Sequence, residues 1–357
     1  MIAKMKTLQL LFLLLFSTTS SFSQYVFNKI DSLIKVTHSA NQNITMSVGI
    51  LKNNTEYYTS YGNLDRESSV KVNKNSVFEI ASITKVLTSN LIAQAHLENK
   101  LNIHDFIDPY LPEAYQLQKS IQQKIKISDL ASHQSGLPDI DFRKLILTNS
   151  QQPVSAVNQD SLATLVNNCS VLTDYGNYRY AALGYILLGQ ILETIYQKSY
   201  DQILKEKLLN PLKTTATFTT DFNVKNSTKG YNPEGGIQEF FNWNITAPAG
   251  LVKASSSDMI AFLKAVLNEK SKIGGASVFA EKTQYSKDGR EIGLGLGIVN
   301  DTGNTIFFKT GDSIGQSCIL GYDRINNWGI IILLNQRDSK LRQSMFNAIY
   351  EIIKKSK

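Results

Sequence analysis

Alternating apolar residues, the mark of half-buried strands, cluster at the two ends of this chain, and the long stretch between them is mostly helical. Near the N-terminus, "ITMSVGILKNNTEYYTSYG" alternates Met46, Val48 and Ile50, then turns at an Asn-Asn pair into a Tyr-rich strand. That pattern predicts an antiparallel hairpin. Near the C-terminus, "EIGLGLGIVN", "TIFFKTG", "SCILGYDR" and "WGIIILLNQ" read as further strands. Helical periodicity brackets both sets: Phe27, Ile30 and Ile34 share a face before the hairpin, and Leu341, Met345, Ile349 and Ile353 form a stripe after the last strand. The middle, from "SVFEIASITKVLTSNLIAQAHLENKL" to about residue 220, carries helices and long loops marked by Pro109, Pro112, Pro138 and Pro153. A sheet built from both chain ends must close around whatever lies between them. The expected fold class is α/β (α+β): an antiparallel sheet flanked by helices, plus an inserted all-helical lobe. The α/β lobe is expected over about 24–80 and 245–357, the helical lobe over about 81–244.

The first residues, "MIAKMKTLQLLFLLLFSTTSSFSQ", place Lys4 and Lys6 before an apolar run from Leu8 to Phe16 and then small polar residues. This predicts a secretory signal peptide over residues 1–23. The apolar run is about half of what a bilayer span requires, so no stable membrane insertion is expected. The mature chain is expected to be secreted or periplasmic, and about 330 residues then make one two-lobed unit or two domains. Net charge falls from +7 to +5 with loss of the two leader lysines. The remaining basic residues are interleaved with acids, and nucleic-acid binding is not expected. The histidines, His38, His96, His104 and His133, show no metal-ligand spacing, so no metal or cofactor is expected. Cys169 and Cys318 sit in a compartment that permits a disulfide, but the sequence leaves their pairing open.

Two catalytic signatures overlap in "FFKTGDSIGQSC". Gly311-Asp312-Ser313-Ile314-Gly315 fits the G-x-S-x-G elbow that would make Ser313 a nucleophile; Lys309-Thr310-Gly311 is instead a Lys-Thr-Gly strand motif. An elbow needs a helix after the serine, and an acid and then a histidine further along. The run after Gly315 is β-like, and the last histidine is His133, so Ser313 reads as a turn residue. The Lys-Thr-Gly reading needs a serine with a lysine three residues on, and three pairs qualify: Ser32-Lys35, Ser68-Lys71 and Ser82-Lys85. Ser32 lies within a continuous helical stripe and Ser68 in a polar loop. Ser82 directly precedes the helical "ITKVLTSNLIAQ", so it sits at a helix N-terminus, where the dipole favours developing negative charge. Lys85 lies within reach one turn on. To act as a base its amine must lose affinity for protons from a usual pKa near 10.4, through burial and a second cation, for which Lys309 is the candidate.

In order and spacing, "FEIASITK", "LASHQSGLPDI", "YRYAALGYILLG", "PAGLVKASSSDMIAFL" and "FFKTG" resemble blocks of the class C β-lactamase and D-Ala-D-Ala peptidase superfamily of serine hydrolases, from about residue 40 to the end. The resemblance implies that Ser82 is acylated, that Lys85 helps to activate it and that a tyrosine completes the proton shuttle. The family tyrosine opens Tyr-x-Asn ahead of a Gly-x-x-Leu-Leu-Gly-like helix. Counting back from Gly189 gives Tyr180-Ala181-Ala182, so Tyr180 is preferred and the asparagine is replaced by Ala182. Tyr175-Gly176-Asn177 fits the motif literally but sits five residues too far from the helix. By the same resemblance Lys309 and Thr310 hold a substrate carboxylate, Gly311 lets substrate approach the strand edge, and the backbone N–H groups of Ser82 and Asp312 form the oxyanion hole. His133 is expected to brace a turn, and the loop beyond it, to about residue 160, to shape the pocket.

These readings point to a secreted serine hydrolase that cleaves an amide through an acyl-Ser82 intermediate. β-Lactam hydrolysis ranks first, which would make the protein an agent of antibiotic resistance. D-alanyl-D-alanine carboxypeptidase or endopeptidase activity ranks second and small-ester hydrolysis third. A non-hydrolytic penicillin-binding sensor or scaffold is the alternative of another class, motivated by Ala182. The expected partner is a small molecule or a peptidoglycan peptide, met by a monomer.

Overall fold

The computed structural model describes residues 24–356 apart from 216, 218 and 221–224, so the expected leader at 1–23 lies outside it. An N-terminal helix (24–40) leads into the hairpin β1 (Met46–Lys52) and β2 (Thr55–Tyr61). Short strands β3 (Phe78–Glu79), β4 (Gly230–Tyr231), β5 (Ile237–Gln238) and β6 (Lys253–Ala254) come next, outside the main sheet. The C-terminal set is β7 (Tyr285–Lys287), β8 (Arg290–Ile292), β9 (Gly297–Asp301), β10 (Asn304–Asp312), β11 (Ser317–Asp323) and β12 (Trp328–Leu334). The eight-stranded sheet runs β2-β1-β12-β11-β10-β9-β8-β7, antiparallel throughout. Chain ends meet where β1 pairs with β12, from Met46 opposite Leu334 to Lys52 opposite Trp328. "EIGLGLGIVN", expected from its sequence to be one strand, is two: Gly293–Leu296 turn the chain, and β8 pairs back onto β9.

Strands β11 and β12 are buried along their whole length because both sheet faces are covered. On one face Met46, Val48, Ile50, Ile330 and Ile332 meet Ile30 and Ile34 of the N-terminal helix and Met345 and Ile349 of the C-terminal helix (Ser339–Lys354). Side chains one residue out of phase, Ile331, Leu333 and Leu320, belong to a second core that continues into the helical region. That core wraps the helix Thr84–Leu97, which is buried from Thr84 to Ala95 on every side. Its polar residues are satisfied from afar: Thr88 Oγ1 meets Tyr200 at 2.7 Å, and Asn90 Nδ2 donates to Ile273 O at 2.9 Å. The helical region also holds the small β4–β5 ribbon. Among the described residues no helix is long and apolar enough to cross a membrane.

One charged pair is sealed beneath the N-terminus of the Thr84–Leu97 helix. Glu79 and Lys253 face each other across β3 and β6, both fully or almost fully buried. Burial pushes the Glu79 carboxyl up and the Lys253 ammonium down to about 8; each offsets the other's shift, and both grip the Phe241 backbone. Removing one partner strands the other, which costs about 3–5 kcal/mol. Lys253→Ala is therefore expected to lower unfolding stability by about that amount in urea titrations, with part of the loss recovered on adding Glu79→Gln.

Candidate active site

Strand β3 ends in a single 3-10 turn, Ala81–Ile83, that runs directly into the Thr84–Leu97 helix. Ala81 has φ +44°, a left-handed conformation that costs a non-glycine residue about 1–2 kcal/mol and is held by its buried surroundings. Ser82 follows it, half-buried between buried Ala81 and Ile83, on the wall of two cavities. Its Oγ lies 2.7 Å from the Tyr180 hydroxyl and accepts a hydrogen bond from Lys85 Nζ at 3.3 Å. Lys85 also donates to Ala249 O at 2.5 Å, so a second anchor fixes the amine. Its residue is only 2% exposed, and burial lowers its pKa to about 7 against the opposing pull of the Asp139 carboxylate. The sequence reading made Lys309 a joint cause of that lowering; the dominant cause is burial. At Lys309, burial lowers the pKa to about 8, with Tyr180 raising it and Lys85 lowering it. Lys309 is only half-buried and reaches the open cleft, so we take its charge to persist through neutral pH.

The second wall is the edge of β10. Pairing with β9 stops at Phe308, which leaves Lys309, Thr310, Gly311 and Asp312 to face the Ser82 turn. Gly311 fits because it has no side chain: a Cβ there would lie 2.3 Å from Ile80 O, 2.7 Å from Cys318 Sγ and 3.1 Å from Ser82 N. Both cysteines are free thiols, and the Cys318 thiol donates towards Ile80 O at 3.1 Å, tying β11 to the same turn. Asp312 lines both cavities with Ser82, while its carboxylate is pinned by Arg342 Nη1 at 2.5 Å and the Ser317 hydroxyl at 2.6 Å. The terminal helix thus holds the end of β10 in place.

Tyr180 is brought in by the segment that precedes the helix Leu183–Tyr196. His133 braces it: its carbonyl accepts from Arg179 N at 2.7 Å, and Nδ1 accepts from Ala181 N at 3.3 Å, with the rings of His133 and Tyr180 4.4 Å apart. Burial and two nearby lysines hold the imidazole well below its usual pKa, so it is neutral, with its proton on Nε2. Tyr175 is elsewhere, donating to Lys124 O at 2.7 Å and to Asp129. Ser313 is buried and closes the β10–β11 hairpin, its N–H donating to Gln316 O at 3.0 Å. Ser32 lies within the N-terminal helix, and the Ser68 hydroxyl accepts from Val70 N in a loop.

Ser82 separates two cavities of different character. The larger, about 500 Å³, carries Lys309, Thr310, Tyr178 and Arg290. The smaller, about 330 Å³, is lined mainly by apolar groups, among them Ile140, Phe142, Ile146, Val154 and Ile314, with the Ala182 methyl beside them. Phe142 and Ile146 come from a short helix, Phe142–Thr148, inside the segment expected from its sequence to be a loop. Asp139, which the sequence reading passed over although it lies in "LASHQSGLPDI", caps the Leu183–Tyr196 helix. Its carboxylate accepts from Ala182 N at 2.9 and 3.0 Å and from Leu183 N at 2.9 Å. Among the described residues, no group of three or more His, Cys, Asp or Glu side chains could hold a metal ion.

A serine on a helix-starting turn, within reach of a buried amine and a phenol and flanked by a free strand edge, is the arrangement of an acyl-transferring serine hydrolase. The Beta-lactamase family profile matches residues 30–353, and the chain belongs to that family. Protein flp of Staphylococcus aureus strain MW2 is 24% identical over 299 residues, 81% of this chain but 59% of that protein. A β-lactamase of Providencia stuartii is 28% identical over 261 residues, 71% of this chain and 64% of that protein. This chain thus spans less than two thirds of these relatives. Among solved structures, a class C β-lactamase superposes with TM-score 0.80 at 19% identity, covering 93% of this chain and 96% of that one. The D-alanine carboxypeptidase AmpC of Burkholderia cenocepacia gives 0.77 at 17%, covering 93% and 99%. At such identity these likenesses establish the fold.

The contact of β10 with the Ser82 turn makes Gly311→Ala a sharp test. The added methyl must displace either Ile80 O or the strand edge, and a shift of about 1 Å in a reacting group can cost about 100-fold. We expect kcat/KM to fall by about that factor on whichever substrate the wild type turns over, with the far-ultraviolet circular dichroism unchanged.

Proposed function

We propose that the protein hydrolyses amide bonds by forming an acyl-enzyme at Ser82, with β-lactams ranked first among its substrates. The observation that carries this is the contact of Ser82 Oγ with both Tyr180 and Lys85 beside the unpaired Lys309–Asp312 edge. Lys85, neutral above about pH 7, takes the Ser82 proton directly or through Tyr180, and Oγ bonds to the carbonyl carbon. The oxyanion is held by the Ser82 and Asp312 N–H groups, and the leaving nitrogen receives the proton as the amide bond breaks. Water then attacks the acyl-serine by the reverse proton path, which frees the serine. A carboxylate on the leaving half sits at Lys309 and Thr310, which favours a β-lactam or a peptide C-terminus over a neutral ester. The acyl half then occupies the apolar cavity beside Ala182.

Ala182 also supports a second reading, a penicillin-binding sensor that is acylated and not released. Wild type and Ser82→Ala are to be compared on a chromogenic cephalosporin, a D-Ala-D-Ala peptide and a nitrophenyl ester. Repeated turnover by wild type and none by the variant is the expected result; a single stable adduct supports the sensor, and undiminished activity of Ser82→Ala refutes both.

Two further outcomes are expected. Because Lys85 must be neutral and Lys309 charged, kcat/KM rises with pH through about 7 and falls at or above about 8. In Lys309→Met the falling limb disappears and KM for carboxylate substrates rises, which a pH–rate series would detect. Ala182→Asn restores an amide to the acyl cavity, and one hydrogen bond of about 0.5–1.5 kcal/mol corresponds to a roughly 2- to 12-fold gain in acylation by acylamino β-lactams.

A further inference from the structure

The cleft on the Lys309 side of Ser82 extends well beyond the contact that one carboxylate requires. It passes Tyr180 and His133 and ends at Tyr178 and the β7–β8 hairpin. There Arg290 stacks on Tyr178, its guanidinium carbon 4.3 Å from the ring centroid. Tyr178 meets the His133 ring edge-on at 5.7 Å, His133 lies 4.4 Å from Tyr180, and Lys309 Nζ sits 4.8 Å from the Tyr180 centroid. A continuous row of rings therefore joins two cations along one wall.

Neither cation is in an ion pair among the described residues. The acids on the same cleft are engaged elsewhere: Glu291 accepts from Thr283 Oγ1 and Asn300 Nδ2, and Asp312 is paired with Arg342. Asp174 and Asp288 border the recess behind Arg290 without pairing with it, and Lys287 donates to Asn177 Oδ1 at 3.0 Å. A second, independent sign of an absent partner lies between the cations. His133 is 3% exposed, its Nε2 carries the proton and has no hydrogen-bond partner, and the residue lines this cleft. Buried donors are rarely left unmet, and this one lies in the wall of the cleft among the rings that join the two cations.

We propose that the Arg290–Tyr178 end of the cleft is a second anion subsite, selecting a leaving group that carries another carboxylate besides the one at Lys309 and Thr310. The guanidinium presents a planar fork suited to a carboxylate, and its stacking on Tyr178 holds that fork in place before binding. This rests on the proposed function for the direction of the substrate: the half bearing the Lys309 carboxylate is the half that leaves. The substrate class is thus a peptide-like amide whose C-terminal residue has an acidic side chain.

Binding to the Ser82→Ala protein separates this subsite from turnover. Two matched pairs of N-acylated D-Ala peptides serve as probes: one ends in D-Glu or D-Gln, the other in D-Lys carrying an Nε-succinyl or Nε-acetyl group. Within at least one pair the acidic member is expected to bind about tenfold more tightly by calorimetry. That preference should shrink between 50 and 500 mM salt, vanish with Arg290→Ala and survive in part with Arg290→Lys. Arg290 is exposed on a hairpin and in no ion pair among the described residues, so circular dichroism should be unchanged in its variants. Acidic and neutral members within twofold of each other in both pairs, a preference that survives Arg290→Ala, or no binding at millimolar peptide each overturns the subsite. Ser82-dependent turnover of a cephalosporin alongside any of those results leaves the hydrolase reading intact. An Arg290-dependent preference with no Ser82-dependent turnover of a cephalosporin, a D-Ala-D-Ala peptide or a nitrophenyl ester overturns that reading alone.

Discussion

Backbone meets backbone at the centre of this molecule, where the Gly311 edge of β10 lies against Ile80 O and Ser82 N with no room for a methyl group between them. Everything the site does depends on that approach. It sets a free strand edge beside the serine, the edge on which the proposed function places a substrate carboxylate and one of the two N–H groups of an oxyanion hole. The approach is locked from several directions: Cys318 reaches across to Ile80 O, Arg342 of the terminal helix clamps Asp312, and the buried Glu79–Lys253 pair sits below the turn. A strained Ala81 at φ +44° is tolerable only because these contacts over-determine the turn.

Upon that frame the chemistry is a matter of where charge is permitted. Burial makes the Lys85 amine a base near neutral pH, while Lys309, at the open edge of the cleft, keeps its proton for longer. His133 stays neutral between them and braces the tyrosine. Under the proposed function the two cavities would divide the substrate in the same way, an apolar chamber for the acyl half and a cationic cleft for the half that leaves. Loss of the motif asparagine fits this division. Ala182 adds a methyl group to the apolar side, and Asp139 accepts from the N–H groups of Ala182 and Leu183.

Much of the framework is legible in the residues alone. Period-two alternation locates β1, β-forming runs locate β10, β11 and β12, and helical stripes locate the two terminal helices that cover the sheet. Ser82 and Lys85 lie one turn apart, so local geometry is enough to bring them together. Other parts were hidden for identifiable reasons. The Thr84–Leu97 helix is buried on every side, so it has no polar face, and its Thr88 and Asn90 find partners more than a hundred positions away. The strand read as one piece over "EIGLGLGIVN" breaks because the chain turns back at Gly293–Leu296 to add two edge strands. Asp139 lies inside one of the family-like blocks and Arg290 and Arg342 in none, yet each is placed by a neighbour that only folding supplies.

By itself, then, the sequence determined the sheet's chain ends, the serine–lysine turn and the Lys-Thr-Gly edge, because these depend on periodicity and on neighbours within a few residues. Tertiary structure alone decided that Tyr180, preferred to Tyr175 on spacing, comes within hydrogen-bond reach of Ser82, that burial more than a second cation tunes Lys85, and that Cys169 and Cys318 remain apart as thiols. The physical reason is common to all three. A long-range hydrogen bond, the loss of solvent around an amine and the separation of two side chains are properties of where distant segments come to rest, and no local pattern encodes them.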